Sequence, residues 1–141
     1  MLFRSGEAVV ALERQGRDRQ PRDRLVAHRF GLSAETRAQV FLICKGYRIL
    51  AKRHAAPGGE VDLVARRGDT ICFVEVKARP TLEEARASIT EQKRRRISRA
   101  AAGWLTRNGW AAGMNLRGDA VFIAPRRWPV HVAAAFELDL G

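Results

Sequence analysis

An α/β fold, a mixed β-sheet flanked by helices, is the class that this 141-residue sequence predicts. Three observations carry it. Apolar residues at helical spacing, Ala34, Ala38, Phe41 and Leu42, follow the N-capping Ser33 and stop at Gly46. Two strand-like stretches, 60–66 and 70–78, flank a tight-turn signal at Gly68-Asp69. A long apolar stripe, Ile89, Ile97, Ala100, Ala101, Trp104 and Leu105, then precedes a short apolar run at 119–124. Helix, strands, helix and strand in that order describe a layered α/β domain.

Taken along the chain, residues 1–30 read as a basic, flexible N-terminal arm. They hold a short helical stretch at 2–12 and a polar, proline-containing segment at 14–24. The domain proper is expected over 31–141. Tyr47 to Ala51 reads as the first strand, and His54 to Gly59 as a loop whose two glycines let backbone approach a ligand. Pro80 ends the third strand, and 82–87 is a connection. The second helix is expected over 88–107, with Asn108-Gly109 as its stop. A last strand at 130–136 follows Pro125 and Pro129.

The hairpin carries the most specific information. Gly68 at the first central position suits a type II′ turn, which sets Arg67 opposite Thr70. The register then pairs Ala65 with Cys72, Leu63 with Val74 and Val61 with Val76 on one apolar face. On the other face Asp62 meets Glu75, and Glu60 meets Lys77. Opposed residues hold their Cβ atoms roughly 4.5–5.5 Å apart, where like charges destabilise. Two carboxylates that close call for a proton or a cation between them. A hard ion such as Mg²⁺ takes oxygen ligands, often with only one or two protein carboxylates. Lys77 would then orient an attacking water or stabilise charge on a phosphate. The rival reading is a solvated hairpin face with Glu60–Lys77 as an exposed ion pair of little worth.

Composition narrows the partner. With 26 Lys+Arg against 15 Asp+Glu, the chain carries +11, a charge that attracts polyanions and nucleic acid above all. The run Lys93-Arg94-Arg95-Arg96, with Arg99, opens the second helix, where positive charge opposes the helix dipole and suits phosphate contact. Gln92 beside it can hydrogen-bond a phosphate or water. Glu35 complements the dipole of the first helix. His28, His54 and His131 show no metal-ligand spacing. The tryptophans read as packing residues, with Trp128 suited to stacking on a base. Cys44 and Cys72 read as reduced and buried. No apolar run is long enough to span a membrane, and 1–30 lacks a signal-peptide pattern, so a cytoplasmic protein is expected.

Four segments together resemble the YraN-like family of bacterial proteins, described as endonucleases of the restriction-endonuclease-like PD-(D/E)XK superfamily and related to Holliday-junction resolvases. They are Lys45-Gly46-Tyr47-Arg48-Ile49-Leu50, Gly59-Glu60-Val61-Asp62-Leu63-Val64, Phe73-Val74-Glu75-Val76-Lys77-Ala78-Arg79 and Lys93-Arg94-Arg95-Arg96-Ile97. Arg117-Gly118-Asp119 looks like the family's later Arg-Phe-Asp. The resemblance implies an α-β-β-β-α-β core and an Mg²⁺ or Mn²⁺ ion held by Asp62, Glu75 and the Val76 carbonyl. It also implies Lys77 and Glu35 as catalytic residues; Gln92, Lys93, Arg94, Arg95, Arg96 and Arg99 are the nucleic-acid contact expected from charge and position alone. Metal-dependent cleavage of nucleic acid is the activity so implied, with DNA the expected partner; DNA against RNA, branched against linear substrate and the oligomer stay open, although a homodimer would suit symmetric cuts. A non-catalytic nucleic-acid-binding protein, or a structural partner in a DNA-processing complex, is the alternative. The proline that names the superfamily motif is absent before Asp62.

Overall fold

The computed structural model describes residues 33–141, so the arm expected at 1–30 lies outside the described residues. Ser33 caps the first helix as expected, its hydroxyl accepting from the Thr36 N–H at 3.0 Å, and α1 spans Ala34–Cys44. Three antiparallel strands follow: β1 Arg48–Ala56, β2 Gly59–Arg67 and β3 Thr70–Ala78. Two helices, α2 Leu82–Ala87 and α3 Glu91–Arg107, cross to β4 Asn115–Ile123, which lies parallel to β3. β5, Val130–Phe136, returns antiparallel to β4, so strand order in the sheet repeats chain order.

Both faces of the sheet are covered. Ala34, Ala38 and Leu42 of α1 pack on Leu63, Ala65, Cys72 and Val74. Ile97, Ala100, Ala101 and Trp104 of α3, spaced to lie on one helical stripe, cover Val64, Ile71 and Phe73. Ala85 of α2 covers Ala120 and Phe122 on the same side as α3. The expectation of one apolar face and one charged face is therefore corrected. The unbroken run Ile71-Cys72-Phe73-Val74 is that of a strand buried on both sides. The acidic residues Glu60, Asp62 and Glu75 sit with Lys77 at the end of the hairpin away from the turn.

Several boundaries also move. The long helix begins at Glu91, because Thr90 caps it by accepting from the Lys93 N–H at 3.2 Å. Residues 82–87 form a helix of their own, capped by the Thr81 hydroxyl, which accepts from the Glu84 N–H and donates to the Glu84 carboxylate. β1 runs on through His54–Ala56 and β2 begins at Gly59, which leaves only Pro57-Gly58 as the loop, and β4 begins at Asn115 rather than 119. The close approach at Gly59 is to protein. A Cβ there would lie 2.0 Å from the Arg96 carbonyl oxygen, so only glycine lets α3 settle against β2. Cys44 is exposed rather than buried, and Trp110 is exposed rather than packed within the core.

Candidate active site

The hairpin register holds from Arg67–Thr70 through Leu63–Val74. Gly68 has φ +62° and Asp69 is not left-handed, as a type II′ turn requires. At Asp62 the pattern changes. Its carboxylate, rather than a backbone carbonyl, accepts the Val76 N–H at 2.7 Å, which turns the side chain toward Glu75. Glu60 does not meet Lys77, correcting the expected pair. Glu60 lies 3.7 Å from Arg96 of α3, and the Lys77 Nζ lies 3.1 Å from the Glu75 carboxylate.

These groups line one cavity of about 480 Å³. Its floor is Asp62, Glu75, Val76 and Lys77, from β2 and β3. Glu35 enters from the start of α1, and Gln92, Lys93 and Arg96 from the first turns of α3. The Glu75 carboxylate is almost wholly buried and faces two lysines, Lys77 at 3.1 Å and Lys93 at 3.6 Å. Burial pushes the Asp62 carboxyl up to about 8, reinforced by the negative charge of Glu75 and opposed by the Val76 N–H. Asp62 thus holds a proton more tightly than an ordinary aspartate. Burial and the neighbouring Lys93 hold Lys77 below the usual lysine range, while a hydrogen bond from Lys93 to Lys77 raises Lys93. At the rim Arg53 pairs with Glu35 at 2.9 Å.

A family model described as Uncharacterised protein family UPF0102 matches residues 34–123, which span every residue of this cavity. The chain belongs to UPF0102. This is the YraN family to which the paired motifs around Asp62 and Glu75 point. A UPF0102 protein of Methylobacterium nodulans is 56% identical over 122 residues, 86% of this chain and 95% of its own length. One from Methylocella silvestris is 60% identical over 119 residues, 84% and 96% of the two chains. One from Methylorubrum extorquens is 59% identical over 116 residues, 82% and 91%.

Of the residues singled out from this UPF0102 sequence, Glu35, Asp62, Glu75, Val76, Lys77, Gln92, Lys93 and Arg96 meet in the cavity. Arg94, Arg95 and Arg99 do not. Arg94 and Arg95 reach back to Glu91 at 3.4 and 3.8 Å, and Arg99 donates to the Gly58 carbonyl at 3.3 Å. Arg79 and Thr90, by contrast, line the cavity without having been singled out. Arg79 had a signal: two and four residues beyond Lys77 and Glu75, it continues the same strand face. Two oxygen donors with a neighbouring backbone carbonyl suit a hard ion that keeps water in its shell. Among the described residues, no group of three or more His, Cys, Asp or Glu side chains is placed to hold a metal ion, so any ion here would rest on the two carboxylates, the carbonyl and water.

A second polar cluster lies under α1. Asp119 is fully buried and accepts from Arg117 at 2.8 and 2.9 Å, His131 at 2.8 Å and the Ala134 N–H at 3.1 Å. Burial works against its charge, but these donors outweigh burial and hold the carboxyl well below the usual range. Burial and Asp119 push the neighbouring Cys72 thiol up to about 12. Arg117 also donates to the Tyr47 hydroxyl at 2.9 Å, tying β4 to the start of β1. Every lone pair of Asp119 is thus used in holding strands together.

Proposed function

We propose that this protein is a metal-dependent endonuclease that hydrolyses phosphodiester bonds in DNA. The observation that carries the reading is the meeting of Asp62, Glu75, Lys77, Gln92 and Lys93 in one cavity. Asp62, Glu75 and the Val76 carbonyl would hold Mg²⁺ or Mn²⁺, the donor set being all oxygen. When bound, such an ion polarises the phosphate and lowers the pKa of an attacking water. Lys77, 3.1 Å from the Glu75 carboxylate, would orient that water and stabilise charge developing on the phosphate. Lys93 and Arg96 present cations to the phosphate, and Gln92 adds a hydrogen bond. Glu35 adds negative charge beside Asp62.

Asp62→Ala and Glu75→Ala should each abolish metal-dependent cleavage while leaving DNA binding intact or tighter, since each removes negative charge near the phosphate. Gel assays on linear, flapped and branched DNA and on RNA, paired with filter binding, measure both. Equal trace activity in the wild type and both variants would sink the nuclease reading. One observation favours a non-catalytic binding module instead: Glu75 is already countered by two lysines. Calorimetric titration of metal into the wild type separates the two readings, because the binding module takes up no ion.

A further inference from the structure

Glu75 carries one negative charge, yet two ammonium groups stand on a single one of its oxygens, Oε2: Lys77 at 3.1 Å and Lys93 at 3.6 Å. The two lysines are placed differently. Lys77 lies two residues along the same strand, and its side chain is only 13% exposed. Lys93 reaches across from the first turn of α3, and its side chain is 39% exposed. The backbone around Lys93 is fixed on both sides. Its own N–H donates to the Thr90 hydroxyl at 3.2 Å, and the Arg96 carbonyl lies against Gly59 of β2. What can move is a four-carbon stem that ends in a compact, strongly hydrated charge. Arg96, the next cation on that helix to line the cavity, lies 3.7 Å from Glu60 rather than on Glu75.

A divalent ion seated on Asp62 and Glu75 brings two further positive charges to a carboxylate that already holds two ammonium groups. Like charges so close repel strongly. Lys93, the longer contact and the more exposed side chain, is the one that gives way. A phosphate bound in the same cavity offers it a new partner, with Gln92 and Arg96 of the same helix beside it. Resting on the metal-dependent reading above, we infer that Lys93 is an internal counter-ion, which occupies Glu75 in the ion-free protein and passes to a nucleic-acid phosphate when a divalent ion takes that carboxylate. The ion then frees the lysine that DNA uses, and DNA holds away the lysine that the ion must displace. Such coupling is reciprocal, so each ligand strengthens the other by the same factor. Direct attraction between ion and phosphate adds to the coupling with or without Lys93, and substitution isolates the share that belongs to the lysine.

Lys93→Met removes the charge and keeps an apolar stem. Lys77 still pairs Glu75 in this variant, so no buried charge is left alone and it should melt near the wild type. Arg96→Met is the control, for it removes a charge from the same cavity that does not touch Glu75. Calorimetry with Mg²⁺ alone should show Lys93→Met binding the ion about tenfold more tightly than the wild type, with a much smaller gain in Arg96→Met. Fluorescence anisotropy with labelled DNA then compares chelator with Ca²⁺, which takes the same oxygen ligands. In chelator Lys93→Met should bind DNA nearly as well as the wild type, and in Ca²⁺ about tenfold more weakly. Arg96→Met should lose the same factor in both. Equal Mg²⁺ affinity in Lys93→Met and the wild type, or an equal loss of DNA affinity with and without Ca²⁺, overturns the inference. Ion uptake that Lys93 does not affect leaves the metal-dependent reading standing without the counter-ion, whereas no uptake by either protein overturns both.

Discussion

Asp62 is held between a desolvating environment and the charge of Glu75, and its proton is the readable consequence. Its carboxyl binds a proton more tightly in the folded state, at about 8, than in the unfolded chain, at about 3.8. Between those values the native state carries the extra proton, so stability falls as pH rises through that window. Thermal unfolding in the presence of a chelator should show this decline, and Asp62→Asn should flatten it. Mg²⁺ or Mn²⁺ should raise the wild-type Tm at neutral pH, because a ligand that binds only the native state stabilises it. The Asn variant should melt at or above metal-free wild type and lose most of that response. Equal metal responses in the two proteins would remove the shared-ion geometry. Asp119 presents the opposite case, a buried charge fully paired. Asp119→Ala leaves Arg117 and His131 without their acceptor and should cost about 3–5 kcal/mol, read by urea denaturation.

Elements fix where those residues meet, and α3 matters most because it brings Gln92, Lys93 and Arg96 to the hairpin. Gly59→Ala would place a methyl against the Arg96 carbonyl and force the helix away, at about 1–3 kcal/mol. Cleavage should fall with it. Gly109→Ala, where an added Cβ meets nothing within 4 Å, is the control that should leave both unchanged. The hairpin was legible in sequence because Gly68-Asp69 admits one turn geometry, and that geometry dictates every pair up to Leu63–Val74. Its end was not, because the Asp62 side chain takes over a backbone acceptor's place and no alternation rule encodes this. The basic run was legible as a run. Which members face the cavity depended on where α3 begins and how it lies, and both follow from the Thr90 cap and the contact at Gly59. The Thr81 cap was visible as a Thr-x-x-Glu pattern and marks α2, a helix read from sequence only as a connection.

For the whole molecule, a net charge of +11 sets how binding responds to salt. Each lost phosphate contact lowers the slope of log K against log salt by about 0.9 on duplex DNA. The cavity geometry divides the basic run unequally. Lys93→Ala with Arg96→Ala should flatten the slope, whereas Arg94→Ala with Arg95→Ala, both already beside Glu91, should change it little. Equal effects from the two pairs would move the DNA footprint off the cavity.

Because strand order repeats chain order, every strand pairing but one closes a short connection. The exception is β3 with β4, which must await the crossover through α2 and α3. Non-local pairings form late, since loop closure costs entropy before contacts repay it. Asp62, Glu75 and Lys77 share the β2–β3 hairpin, whereas Lys93 arrives only with the crossover. The folding chain therefore assembles its paired carboxylates before one of the two lysines that counter Glu75. A divalent ion present during refolding should stand in for the missing charge. Stopped-flow refolding should then run faster in Mg²⁺ than in chelator for the wild type, and at one rate in both for Asp62→Asn.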